Sequence, residues 1–286
     1  MVSVKFPRPD EGVAVLVDID KCIGCRACQV ACKYWNGKPA EVERVKFTGS
    51  MTSPSWLTAD DWKVVFFHED KTTKKLLTPA GKEVMFSQVD IVPLPYNCMH
   101  CAAAPCATAC PVGAIKVTNE GAVVINKGEC IGCAYCESAC PYNVPKRGSD
   151  GRYYKCTFCV DRIQNGQAPA CVDVCPTNVF TFGPAKEVME KAKAEQDKGR
   201  YVYGLDLDRY VGGSVRWIYV TSDRKSFAVK KHFEDVRPRT TEELRQILKP
   251  LTIYGGAALV GALTVLGFAA WRRSRVEEKR EGSGRE

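Results

Sequence analysis

The cysteines constrain this chain more than any other feature. All 16 fall into four groups of four, with none left over. The first reads Cys22-x2-Cys25-x2-Cys28-x3-Cys32, and the second Cys98-x2-Cys101-x4-Cys106-x3-Cys110-Pro111. The third is Cys130-x2-Cys133-x2-Cys136-x3-Cys140-Pro141, and the fourth Cys156-x2-Cys159-x11-Cys171-x3-Cys175-Pro176. Disulfides have no reason to repeat such a spacing, and structural zinc uses paired C-x2-C knuckles. With 45% apolar and 26% charged residues the chain is globular rather than disordered or fibrous. Its formal charge of +8 does not point to nucleic acid, because Lys and Arg are interspersed with acids until the last 15 residues.

Three closely spaced thiolates followed by a fourth Cys, usually before Pro, is the bacterial ferredoxin pattern for [4Fe–4S] clusters, in which the fourth Cys serves the neighbouring cluster. Three cysteines on a tight loop each take one corner of a cubane. Small residues such as Gly24, Ala27, Gly132 and Ala134 let the backbone close around it. Sixteen thiolates at four per cluster give four clusters with every iron ligated by protein. A cluster acting on substrate needs an open position, by the logic that separates catalytic from structural zinc. The charge balance agrees: oxidised cores with their thiolates add about −8, which offsets the formal +8.

Between Cys110 and Cys130 lie two apolar runs, residues 113–117 and 122–126, around a turn at 118–121, which is a hairpin signature. Motifs two and three therefore form one inner module over 98–140. There Cys98, Cys101, Cys106 and Cys140 hold one cluster, and Cys110, Cys130, Cys133 and Cys136 the other. Motifs one and four are left to pair as an outer module, residues 1–32 and 141–180. Its sets are Cys22, Cys25, Cys28 and Cys175, and Cys32, Cys156, Cys159 and Cys171. The fold expected is α+β, two interleaved ferredoxin-like modules, each too small to bury much apolar surface without its metal.

Beyond the cysteines, the chain resembles the iron–sulfur (beta) subunits of molybdopterin and hydrogenase respiratory complexes. It is most similar to the membrane-bound formate dehydrogenase beta subunit. The residues that carry this are Asp18-Ile19-Asp20-Lys21-Cys22-Ile23-Gly24-Cys25, Cys28-Gln29-Val30-Ala31-Cys32, Trp35-Asn36, Cys98-Met99-His100-Cys101, Tyr154-Lys155-Cys156-Thr157-Phe158-Cys159-Val160-Asp161-Arg162 and Val211-Gly212-Gly213. The resemblance implies an electron wire from a molybdenum or tungsten site in a catalytic partner to a membrane cytochrome b or quinone-reactive subunit. It also implies that the outer pair of clusters faces the catalytic subunit and the inner pair the membrane partner. The nitrate reductase subunit resembles it less, since that family has Trp in place of a motif-three cysteine and Cys130, Cys133 and Cys136 are all present here.

Residues 33–97 read as an insertion with strand-like runs at 62–68 and 84–92 joined by a turn region over 71–82, a covering hairpin that contacts a partner. Residues 181–250 form an extension with a surface helix at 185–198 and a strand pair over 204–220. His100 reads as a spacer or hydrogen-bond donor, and His68 and His232 as structural. Tyr135, Phe158 and Trp35 read as apolar bulk that dries the clusters. Lys155, Arg152 and Arg162 are candidates for neutralising thiolate charge, alongside a solvated role.

Residues 251–271 carry no charge and are bounded by Lys249-Pro250 and Arg272-Arg273. As a helix they span about 31 Å, matching the hydrocarbon core, so a transmembrane helix is expected. Ala257 and Gly261 favour close packing on another helix. Four Lys and Arg precede the span within 15 residues and six follow it in the tail 272–286. That bias places the tail in the cytoplasm and the cluster domain on the periplasmic side, with a cytoplasmic cluster domain as the alternative. No signal peptide or twin arginine is visible in residues 1–20, so export would use a partner's signal.

The complete ligand sets, with no paired catalytic carboxylates, nucleophile or Gly-rich nucleotide loop, favour a non-catalytic electron-transfer subunit over an enzyme that reduces substrate at its own clusters. The substrate pocket lies in another chain, so a NiFe hydrogenase or a sulfur-compound reductase remains an alternative partner to formate dehydrogenase.

Overall fold

The computed structural model describes residues 4–39, 49–77, 83–234 and 236. The expected membrane span at 251–271 and the tail lie outside them. Among the described residues no helix is long and apolar enough to cross a membrane.

A four-stranded sheet anchors the fold, in the order β8 (Phe180–Pro184), β1 (Val13–Asp18), β10 (Trp217–Thr221), β9 (Tyr201–Tyr203). β1 reads Val-Ala-Val-Leu-Val, apolar at consecutive positions, as a strand buried on both faces must be. Val15 and Val17 join Trp217, Tyr219 and Phe180 in the main core. Ala14 and Leu16 point the other way, with Ile218 and Val220, onto α6 (Ala185–Asp197). That helix offers Ala185, Val188 and Ala192, a stripe at helical spacing.

β1 runs antiparallel to β8, with Val15 opposite Phe182, and parallel to β10, with Val15 opposite Trp217. The extension at 181–250 is thus woven into the sheet beside motif one rather than appended to it. The expected helix at 185–198 matches α6 closely. The expected strand pair over 204–220 differs, because its partners are β9, which ends at Tyr203, and β10, which starts at Trp217. Turn formers separate them: Asp208 accepts from the Tyr210 amide at 2.7 Å, and Gly212 and Gly213 follow.

The motifs sit on short helices, α1 (Ala27–Trp35), α2 (Pro105–Ala109), α3 (Tyr135–Ala139), α4 (Val160–Gln164) and α5 (Ala170–Asp173). α1 packs on α5 and α2 on α3, so motif one meets motif four and motif two meets motif three. The inner pair carries the hairpin of β4 (Ile115–Val117) and β5 (Val123–Ile125), with Ile115 opposite Ile125. A small ladder, β6 (Lys146–Arg147) and β7 (Tyr153–Tyr154), leads into motif four.

The insertion forms a longer hairpin than its apolar runs suggest, β2 (Lys63–Leu77) against β3 (Glu83–Asn97). Its base is core, with Val64, Val65, Leu94 and Tyr96 buried, while Val89 and Ile91 further out are about half exposed. Pro93 and Pro95 are tolerated because β3 has a partner on one side only. Finally α7 (Ser226–His232) lies against both hairpin strands.

Candidate metal centres

Each motif opens with the same backbone device. Two residues after the first cysteine φ turns positive, at Gly24 (71°), His100 (47°), Gly132 (71°) and Phe158 (63°). The left-handed residue reverses the chain, so that both thiols of C-x-x-C face inward. Glycine does this freely, whereas a residue with Cβ bears about 1–2 kcal/mol. At His100 and Phe158 packing holds the strained conformation. Both are fully buried, and their rings stack with centroids 4.8 Å apart.

His100 Nδ1 accepts a hydrogen bond from the Val123 amide at 2.9 Å. Burial, reinforced by Lys155 and Arg216, holds its pKa well below the ordinary value, so the ring is neutral with its proton on Nε2. His100 therefore ties motif two to the inner hairpin as an acceptor through Nδ1.

The structure gathers the sixteen thiols into four cavities. One is lined by Cys22, Cys25, Cys28 and Cys175, the second by Cys32, Cys156, Cys159 and Cys171. The third is lined by Cys98, Cys101, Cys106 and Cys140, the fourth by Cys110, Cys130, Cys133 and Cys136. Each encloses between about 270 and 320 Å³ of space free of protein atoms, counting its open mouth. Fourth cysteines cross over between paired motifs. Cys32 lies one turn after Cys28 on α1 but faces the second cavity, and Cys175 returns from motif four to the first.

Burial pushes these thiols away from ionisation: Cys28 and Cys136 to about 12, Cys140 and Cys159 to about 11, and Cys32 and Cys101 well above their ordinary value. Neighbouring thiols add to the penalty. Four converging soft donors, the buried ones among them resisting ionisation without a cation, suit an iron–sulfur cube, whose charge would drive the deprotonation those thiols oppose. Amide N–H groups aim at the sulfurs as well, Phe158 at Cys156 (3.3 Å) and Val179 at Cys175 (3.4 Å).

The quartets form a linear series. Phe180 of the first cavity meets Trp217 of the second edge-on at 5.9 Å, Lys155 of the third reaches the Cys156 carbonyl of the second at 3.1 Å, and Cys106 of the third shares an apolar cluster with Cys136 of the fourth. These contacts join quartet one to two, two to three and three to four. Exposure follows the same order. Cys25 in quartet one and Cys133 in quartet four are exposed, and every thiol of quartet two is buried. Apolar residues surround both ends, Ile23 (66% exposed), Val30 and Val174 at the first, Ile131 (65%), Val112 and Tyr135 at the fourth.

Some residues depart from their sequence reading. Phe158 is buried as expected, but Tyr135 is 59% exposed and Trp35 42%. Both short helices present these rings outward, so they belong to the rims rather than to the dry interior. Trp35 donates to Asp161 at 2.9 Å and lies under the Arg162 guanidinium, which also pairs with Asp173. Arg152 is exposed, whereas Lys155 is buried beside the thiols. His68 and His232, which have no partner in sequence, partner each other at 3.2 Å.

Lys63 was missed from sequence. It is 1% exposed, donates to Asn97 Oδ1 at 2.7 Å and lines the second cavity. Its only signal is a lone lysine opening the apolar run Val64-Val65-Phe66-Phe67.

Two family models, each described as a 4Fe-4S dicluster domain, match residues 21–114 and 89–185. The nitrate-inducible formate dehydrogenase iron-sulfur subunit of Escherichia coli is 42% identical over 183 residues, 63% of this chain and 57% of that protein. The chain thus spans a little over half of that relative's length. The formate dehydrogenase-O iron-sulfur subunit of the same organism is 35% identical over 280 residues, 94% of this chain and 87% of that one. A thiosulfate reductase electron transfer subunit from Salmonella typhi is 36% identical over 178 residues, 60% of this chain and 76% of that protein.

Proposed function

Because the chain belongs to the family of formate dehydrogenase iron–sulfur subunits, we propose that it is the electron-transfer wire between a molybdopterin formate dehydrogenase catalytic subunit, carrying Mo or W, and a membrane cytochrome b or quinone-reactive subunit. The observation that carries this reading is the linear series of four cysteine quartets with an exposed, apolar-rimmed thiol at each end and a buried quartet inside. When bound, each [4Fe–4S] group supplies a one-electron store. The protein's part is to fix the order of the stores, keep water from the middle ones and leave each end accessible at one edge.

In this reading the quartet-one end faces the catalytic subunit and the quartet-four end the membrane partner. Residues 251–271 anchor the chain as a single transmembrane helix, with the cluster domain on the periplasmic side and the tail in the cytoplasm. A second reading keeps the wire and changes the donor to a sulfur-compound reductase, favoured by the similarity to the thiosulfate reductase subunit.

The test is mass spectrometry of the intact complex drawn anaerobically from native membranes, with iron determined on the same sample. About 16 iron atoms per chain and a molybdopterin subunit with formate-dependent dye reduction support the proposal. A partner that reduces a sulfur compound moves the conclusion to the second reading, and markedly less iron removes the four-store wire.

A further inference from the structure

Two lysines are buried in this fold without a carboxylate partner among the described residues, and each lies at a junction between quartets. The Lys63 ammonium sits over the rings of Phe180 (4.6 Å) and Trp217 (4.3 Å). Phe180 lines the first cavity and Trp217 the second. Lys155, 4% exposed, lines the third cavity, donates to the Val123 carbonyl and reaches the carbonyl of Cys156, a second-cavity residue, at 3.1 Å. Among the described residues the third junction has no counterpart: the cluster shared by quartets three and four holds Ala104, Ala107, Ile115, Val123 and Tyr153.

A buried, unpaired ammonium is costly unless anionic groups face it. Lys63 stands in the wall of the second cavity with Phe180 of the first under its ammonium, and Lys155 stands in the wall of the third and reaches the Cys156 carbonyl of the second, so the loaded quartets are the anionic groups each one faces. Quartet one therefore faces one buried cation, quartet two faces both, quartet three faces one and quartet four none. Among the described residues hydrogen bonds to sulfur reach Cys175 of quartet one from the Val179 amide and Cys156 and Cys32 of quartet two from the Phe158 amide and the Asn36 side chain, and they act in the same direction as the lysines. Exposed charges at the ends are screened by solvent, and these two are not.

We propose that Lys63 and Lys155 are positioning residues that grade the wire, making quartet two (Cys32, Cys156, Cys159, Cys171) the site of highest reduction potential and quartet four (Cys110, Cys130, Cys133, Cys136) the lowest. Adding one electron to a site increases its negative charge, and a nearby fixed cation favours that state. No bond forms or breaks. The inference rests on the four-store reading above, and iron content tests that reading separately.

The experiment is an anaerobic dithionite titration of the purified complex followed by electron paramagnetic resonance. Wild type is compared with Lys63→Met and Lys155→Met, and iron is counted on every sample. With iron retained, Lys63→Met should lower the reduction equilibrium of the first two sites at least tenfold, about 59 mV for one electron. Lys155→Met should do the same to the second and third. Only the second site responds to both, and the fourth to neither. Uniform potentials in both variants, or a shift confined to the fourth site, would overturn the proposal.

If either Met variant loses iron, Cys25→Ser and Cys133→Ser decide the matter, since each marks one end site at an exposed thiol. The first signal to appear on reduction should be unchanged by both, and the last should be altered by Cys133→Ser. A first signal altered by either tag overturns the grading.

Discussion

Gly24 and Gly132 occupy the same place in motifs one and three, and both have φ of +71°. Replacing either by Ala places a Cβ in the left-handed region at about 1–2 kcal/mol. A stiffer unfolded chain offsets up to about 1 kcal/mol of this at both sites. What differs is what the new carbon meets. At Gly24 it lies 2.7 Å from the edge of the Phe67 ring, which is only partly buried and can swing. At Gly132 it lies 2.3 Å from the carbonyl oxygen of Gly151, a backbone atom held by the β6–β7 turn. Overpacking against an atom that cannot rotate away adds about 1–3 kcal/mol. Gly132→Ala should therefore cost about 1–5 kcal/mol and Gly24→Ala about 0–2. Anaerobic guanidinium unfolding of the iron-loaded complex, with the fourth site's resonance as local probe, reads the ranking. Equal midpoints, or a more damaging Gly24→Ala, would refute the argument that the motif-three loop is braced on residue 151.

Stripping iron with a chelator should abolish the tertiary circular dichroism of the cluster domain, because the buried thiols of four quartets are left facing one another with nothing to hold them. Burial holds His232 at about 3 instead of the ordinary 6.5, so its contribution to stability is complete above pH 6.5 and is lost as pH falls toward 3. At pH 5 that loss is about 2 kcal/mol, and His232→Gln should flatten the acid limb of denaturation midpoint against pH. Arg200 bridges Asp18 (2.6 Å), Asp20 (2.8 Å) and Glu195 (2.7 Å). Arg200→Leu should cost about 1–2 kcal/mol, seen as a lower midpoint together with faster iron release from the first site, because Asp20 lies two residues before Cys22. Trp217→Ala, at a fully buried ring beside Phe158, Phe180 and Lys63, should cost about 3–5 kcal/mol in the same denaturation assay.

What sequence could show was local. The spacing of Cys130, Cys133 and Cys136 and the apolar runs around residues 118–121 need only neighbours along the chain to be interpreted, and the loop and the β4–β5 hairpin follow from them. The periodicity of Ala185, Val188 and Ala192 likewise marks α6 without reference to the rest. Lys63 was invisible because nothing within ten residues explains a buried cation. Its partners are Asn97 across the hairpin and rings from residues 180 and 217. The second neighbour of β10 was invisible for a related reason: its alternation identifies a strand and its partner β9 is near in sequence, but its parallel pairing with β1 joins residues about 200 positions apart, and no local signal specifies that. Tyr135 and Trp35 misled because an aromatic ring beside a cysteine is equally consistent with the inside and the outside of a short helix.

The position of β1, between one strand that follows motif four and another near the end of the described chain, also sets a timetable for biosynthesis. As the polypeptide leaves the ribosome, Cys22, Cys25, Cys28 and Cys32 emerge first, yet their quartets are complete only when Cys171 and then Cys175 have been made. The third and fourth quartets are complete once Cys140 is out. Motifs two and three are therefore ready for metal before motifs one and four. The nascent N-terminal thiols must be kept reduced and unligated while the inner pair fills, and β1 has both its strand neighbours only after Thr221.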